Sequence, residues 1–150
     1  MNILAVGAHP DDIEFGSGGV LCKLSEKGHK ISMLVLTGGG VGGKVGIRKA
    51  EQECSARILK ARLFWGGFRD TDLNVDRELI GSLERHIALT KPDIIFINYQ
   101  DDTHQDHRNA AKAAITAARY TKNLVFYEVP TTLNFAPSVF SDIGSVIGKK

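Results

Sequence analysis

Histidine and carboxylate occur together twice in this sequence at spacings that can hold a divalent cation. The first stretch is Ala5-Val6-Gly7-Ala8-His9-Pro10-Asp11-Asp12-Ile13-Glu14, where an apolar run stops and one histidine and three acids fall within six positions. The second is Asp102-Thr103-His104-Gln105-Asp106-His107-Arg108. Imidazole nitrogen and carboxylate oxygen are ligands of zinc and of other first-row divalent cations. The two stretches read as halves of one metal site.

His9 and Asp12 are three residues apart on a turn entering a helix, so both side chains can point to one side, and His107 would complete a His-His-Asp set. Three protein ligands leave a tetrahedral position for water, the arrangement of a catalytic zinc. Asp11 stands beside Asp12 and cannot easily reach the same ion, which frees it to act as general base. His104 can stabilise an oxyanion or protonate a leaving amine, with Asp106 fixing its tautomer. The reverse assignment, His104 as ligand and His107 as acid, is equally compatible with the spacing. Arg48, a cation in the first turn of a helix where the dipole disfavours it, suits a polar substrate, with Glu51 placed to hold it. Asp70, in the turn after a strand, can reach the same edge. Plainer roles exist for each: a hydrogen-bonded loop histidine, helix caps, an Asx turn, a solvated helix face. The convergence of two clusters favours the metal.

That convergence follows from the elements around them. Apolar runs at Ile3–Gly7, Lys30–Thr37, Leu63–Trp65, Ile94–Ile97 and Leu124–Val129 read as buried strands. Helical patterns lie between them: Phe15–Lys27 closed by Gly28; Ile47–Leu59 with Ile47, Ala50, Cys54 and Ile58 on one stripe; Arg77–Thr90 capped by Asp76; and the alanine-rich Asn109–Tyr120. Strands alternating with helices imply an α/β fold, a three-layer Rossmann-like open parallel sheet of five strands in the order 3-2-1-4-5 with helices on both faces. Strands one and four are then neighbours where the winding reverses, and the loops after them share a crevice. Gly38-x-Gly40-x-x-Gly43 has the letters of a dinucleotide fingerprint, but it follows strand two and no acid closes the next strand; a mobile lip over the crevice is the simpler account.

At 150 residues the chain is expected to form a single domain, and 43% hydrophobic with 24% charged residues suits a globular protein. A net charge of +2 with interspersed signs does not favour nucleic acid or an anionic membrane as partner. No apolar run approaches the ~20 residues of a membrane span. Cys22 and Cys54, without CxxC spacing, read as buried free thiols, and with no signal peptide pattern the expected location is the cytoplasm.

Ala8-His9-Pro10-Asp11-Asp12-Ile13-Glu14 resembles the AHPDDxE motif of the LmbE-like, PIG-L family of zinc-dependent N-acetylglucosaminyl deacetylases. The likeness extends to Thr37 at the end of strand two, Arg48 and Glu51, Asp70, and the H-x-D-H-type motif from His104 to His107. It implies His9, Asp12 and His107 as zinc ligands, Asp11 as base, and His104 as the residue that stabilises the tetrahedral intermediate or assists amine departure. By the same likeness Asp106 is the partner of His104, and Arg48 and Asp70 contact substrate. The reaction implied is hydrolysis of an N-acyl group, usually acetyl, from a small amino-sugar derivative; Fe(II), Co(II) or Mn(II) could also fill such a site. Many relatives carry an acid where this chain has Thr37-Gly38-Gly39-Gly40. Relatives also run longer, so the resemblance implies a family domain over 1–150 that lacks the C-terminal part. Its tail from Gly144 to Lys150 is expected to be poorly ordered or borrowed from a second copy in a homo-oligomer.

Two other classes compete. One is a sugar- or nucleotide-binding domain without catalysis. The other is a non-haem iron oxygenase, for which His9-x-Asp11 and a distant histidine supply the facial triad, although such motifs usually sit on all-β barrels.

Overall fold

A computed structural model describes residues 1–150, and its centre is the first apolar run. Ile3, Leu4, Ala5 and Val6 are at most 1% exposed, as expected of a strand covered on both faces. This strand, β1 (Asn2–Gly7), is followed by α1 (Asp12–Glu26), β2 (Lys30–Thr37), α2 (Val45–Ile58), β3 (Arg62–Phe68), α3 (Arg77–Thr90), β4 (Ile94–Asn98), α4 (Gln105–Ala117) and β5 (Leu124–Tyr127). The five strands form one parallel sheet in the order β3-β2-β1-β4-β5. No helix is long and apolar enough to cross a membrane.

Alternation along the strands divides the core. Leu4, Val6, Leu34 and Ile97 face the layer that contains α3 and α4, where Leu79 and Leu83 meet the small side chains of Ala110 and Ala114. Ile3, Ala5, Met33 and Val35 face the opposite layer, against Ile13 and Leu21 of α1 and Ala56 of α2. Asp76 caps α3 as its type suggests, its Oδ1 accepting the backbone N–H groups of Glu78 and Leu79 at 2.9 Å each.

Several expectations change. The stripe on α2 faces outward: Ile47 is 56% and Ile58 52% exposed, and Cys54 is exposed while Cys22 is buried. The inward face is carried by Gln52 and Ala56, because α2 turns its polar side toward the loop after β1 and uses it there. β3 extends past Trp65 to Phe68, with a register shift against β2 between Val35 and Thr37. Gly67 there has φ +80°, and the irregularity kinks this edge strand. Residues 144–150 are docked, not loose. A 3-10 turn (Gly144–Val146) places Val146 in the α1 layer at 1% exposure, Ile143 lies over Gly19, and Lys149 pairs with Glu26. Burial of apolar side chains, worth ~1.5–3 kcal/mol for a fully covered valine, orders a segment too short to be helical alone.

The functional consequence lies at the reversal of winding. β1 and β4 are hydrogen-bonded neighbours, so the segments that leave their carboxyl ends meet. Asn98, at the end of β4, ties them: its Oδ1 accepts the Ala8 N–H at 3.3 Å.

Candidate metal centre

The backbone turns sharply after β1. Asp11 sits at φ +92°, a conformation that costs a non-glycine residue energy and that persists only where its surroundings fix it. Here Arg48 does so. Its guanidinium donates to the Pro10 carbonyl at 2.6 Å, to Asp11 Oδ2 at 2.9 Å and to the Gly39 carbonyl at 3.2 Å. Asp11 therefore does not cap α1 with its side chain, although it occupies the capping position. Asp12 turns the other way, into the protein, and its Oδ2 accepts the His9 N–H at 2.9 Å.

On the opposite side α4 starts earlier than its alanines suggest, at Gln105, so Asp106 and His107 lie in its first turn and His104 is its N-cap. His104 Nδ1 accepts the Asp106 N–H at 3.2 Å. The imidazole itself replaces the usual hydroxyl or carboxylate cap, and the polar run hides the helix start.

The structure brings His9, Asp12 and His107 together. His9 Nδ1 and His107 Nε2 are 3.2 Å apart, His107 Nε2 and Asp12 Oδ1 3.2 Å, and His9 Nδ1 and Asp12 Oδ2 3.7 Å. Tetrahedral bonds of ~2.0–2.1 Å place neighbouring ligand atoms about 3.3 Å apart; these separations are close to that, with His107 met by Asp12 Oδ1 and His9 by Asp12 Oδ2, so the three side chains could hold one small divalent cation. All three residues are buried. His104 stacks on His107 with ring centroids 4.9 Å apart and meets His9 edge-on at 4.5 Å.

Each of the two histidines is backed by a carboxylate on its far nitrogen. His9 Nε2 lies 3.1 Å from Asp106 Oδ2 and 3.0 Å from Asp70 Oδ1. His107 Nδ1 lies 3.1 Å from Asp102 Oδ2. Such backing fixes the tautomer and strengthens a ligand histidine. Asp106 thus corrects one expectation: its carboxylate serves His9 and accepts the Thr71 and Leu73 N–H groups, and only its backbone N–H reaches His104. His9, Asp70 and Asp106 could by spacing alone hold an ion, as could His9, His104 and His107. The backbone bonds to Asp106, and that from Val41 N to Asp70 Oδ2 at 2.7 Å, give the first set a holding role.

Arg48 and Asp70, both assigned to substrate by resemblance, have their polar atoms engaged within the protein. Glu51 forms no bond to Arg48. The glycine loop is fastened by Arg48 at Gly39 and by Asp70 at Val41, and a Cβ at Gly39 would come within 2.6 Å of Arg48 Nη1. Asp102 opens the second polar stretch, but the sequence does not show what its carboxylate holds. Its partners, His107 and Thr132, are joined to it only by the fold.

The electrostatics follow the contacts. Burial opposes protonation of His107, but hydrogen bonds and attraction from Asp12 and then Asp102 push its pKa up to about 9. His9 is raised in the same way: burial works against the charge, and Asp12 outweighs it. Burial opposes ionisation of Asp12, yet the bonds from His107 and His9 hold it far below the usual carboxylate range. Asp11 is raised, by burial first and then by the charge of Asp12, with Arg48 pulling the other way. His104 is lowered by burial and by the two neighbouring histidines.

Residues 4–118, which span every one of these groups, match the PIG-L family, GlcNAc-PI de-N-acetylase. The chain is 35% identical over 150 aligned residues to the uncharacterised deacetylase YaiS of Escherichia coli K12, covering 94% of this chain and 81% of that protein. It is 32% identical to the diacetylchitobiose deacetylase of Thermococcus kodakarensis over 79% of this chain and 49% of that one, so it spans about half of that relative. The crystal structure of the conserved protein TT1542 of Thermus thermophilus superposes with a TM-score of 0.92 at 28% identity, over 99% of this chain and 75% of that one. Fold, strand order and the run of matched residues agree, and the chain belongs to the PIG-L family of de-N-acetylases.

Proposed function

We propose that this protein is a metal-dependent hydrolase that removes the N-acetyl group from an N-acetylglucosamine-type amino sugar, with His9, Asp12 and His107 as the zinc ligands. The observation that carries this reading is the 3.2 Å approach of His9 Nδ1 to His107 Nε2. Each ring's other nitrogen faces a carboxylate and takes the proton there, so two lone pairs oppose one another and need a cation or a proton between them. A divalent cation supplies Lewis acidity at that point, lowering the pKa of water toward ~7 and polarising an acyl oxygen.

The chain's own residues do the rest. Arg48 engages Asp11 Oδ2, so Oδ1 is the oxygen that takes a proton from the attacking water. The raised pKa of Asp11 makes it a better base than an ordinary aspartate. The same proton passes to the amine nitrogen as the C–N bond breaks, so water and amide give acetic acid and amine, and the acid then ionises to acetate. His104 accepts at Nδ1 and therefore carries its proton on Nε2; its lowered pKa keeps it a neutral donor to the developing oxyanion. The substrate class rests on the relative named for diacetylchitobiose.

The test is release of acetate from diacetylchitobiose and from N-acetylglucosamine glycosides. Chelation should abolish it and added zinc restore it. Release that persists in metal-free protein would remove the mechanism.

A further inference from the structure

Both hydrogen-bonding groups of one peptide unit, the one that joins Pro10 to Asp11, are held by side chains of α2. Arg48 Nη2 donates to the Pro10 carbonyl at 2.6 Å, and Gln52 Oε1 accepts the Asp11 N–H at 3.3 Å. Arg48 and Gln52 are four residues apart, so they leave one face of the helix a turn from each other. On the other side of its Cα, the Asp11 carbonyl accepts the Phe15 N–H at 2.9 Å. The two peptide planes that meet at Asp11 are thus both fixed, and with them the direction in which its side chain leaves the backbone. Fixing them is needed because Asp11 has φ +92°, which a non-glycine residue keeps only where its surroundings impose it.

Gln52 is itself held. It is 2% exposed, and its Nε2 donates at 2.6 Å to Glu14 Oε1, an oxygen that also accepts the Ser55 hydroxyl. A carboxylate only accepts, so Glu14 takes the amide NH2 and leaves the amide oxygen facing the Asp11 N–H. Gln52 bonds to the backbone of Asp11, whereas Arg48 also bonds its carboxylate, so substitution at Gln52 tests the backbone grip by itself. We propose that Gln52, oriented by Glu14, is a positioning residue for the general base: with Arg48 it grips the Pro10–Asp11 peptide and so aims the Asp11 carboxylate. Naming Asp11 as the base rests on the deacetylase reading; the grip does not.

Gln52→Leu removes both contacts with little change of volume. Zinc content and KM should stay near those of the parent while kcat falls roughly 10–100-fold, the scale of an ångström-sized misplacement of a reacting group. By NMR, the Asp11 amide should exchange with solvent about fivefold faster, the equivalent of one ordinary hydrogen bond. Gln52→Glu keeps an acceptor for the Asp11 N–H but sets two carboxylates against each other, and it should also lose rate. Adding Glu14→Gln puts a donor opposite an acceptor again with the pair exchanged, so the double variant should regain most of the rate and amide protection that Gln52→Glu loses. A structural role alone would lower the unfolding midpoint and leave the kcat of folded protein unchanged. Unchanged kcat in folded Gln52→Leu, unchanged exchange at Asp11, or no recovery in the double variant would overturn the proposal, and the last of these applies even if Gln52→Leu does not fold. Absence of acetate release from the parent would sink the deacetylase reading alone, since exchange at Asp11 still tests the grip.

Discussion

Asp102 Oδ2 lies 3.1 Å from His107 Nδ1, on the side of the ring away from His9 and Asp12. The same carboxylate accepts the His104 N–H at 2.8 Å and the Thr132 hydroxyl at 3.0 Å, so one buried side chain orients His107 and sets the start of α4. Loss of such backing typically lowers metal affinity 10–100-fold. Asp102→Ala should do so, measured by competition against a chromophoric chelator, while Asp102→Asn, which keeps the backbone contact, should lose less. Unchanged affinity in both variants would show that His107 is held by packing alone.

Asp11 is expected to act on protons and not on the metal. Its side chain is 55% exposed and bonded to Arg48, whereas Asp12 is buried among the histidines. Asp11→Asn should therefore keep metal content near normal while turnover drops by roughly 10²–10⁴. Metal analysis and acetate release on the same preparation separate the two effects. Full activity in the variant would require another base.

The sheet order and the pairing of the two clusters were legible because both rest on local signals: apolar runs, glycine and proline punctuation, and the right-handedness of crossovers. What escaped depends on one unusual cap and on contacts distant in sequence. α4 begins at Gln105 because His104 caps it, and a histidine is not a usual cap. The apolar stripe on α2 points outward because Arg48 and Gln52 are drawn to the loop after β1; Gln52 Oε1 accepts the Asp11 N–H at 3.3 Å and its Nε2 donates to Glu14 at 2.6 Å. The role of Asp102 becomes visible only when Thr132 and His107 are brought to it by the fold.

The metal-free protein should show a defined dependence on pH. His107 has its pKa raised from 6.5 to about 9, so its contribution to stability is complete below about 6.5 and is lost as pH rises toward 9. Asp12 is lowered from 3.8, so its contribution is present above that value and is lost as pH falls below it. Thermal melts of chelator-treated protein should thus show a plateau between about pH 4 and 6.5 and a decline above it. In the proposed ligand set zinc would displace the proton on His107, so its affinity should rise over the range in which metal-free stability falls. A metal-free Tm that rises from pH 7 to 9 would mean that the His107 and Asp12 pair is not charged.

Two glycines in α1 should respond to alanine with opposite signs. A Cβ at Gly16 would lie 2.0 Å from the ring of Tyr127, whose hydroxyl donates to the Val6 carbonyl at 2.7 Å from across the sheet. The ring is buried and cannot move aside without giving up that bond. Overpacking of ~1–3 kcal/mol and loss of a buried hydrogen bond worth about 1 kcal/mol should make Gly16→Ala strongly destabilising. At Gly18 the nearest atoms to a new Cβ are 3.9 Å away, an ordinary contact. There the helix should gain the ~0.5–1 kcal/mol that alanine holds over glycine. Urea unfolding of the two variants, monitored by far-UV circular dichroism, should place their midpoints on either side of the parent. Gly16→Ala as stable as Gly18→Ala would show that Tyr127 is not packed against α1 in solution.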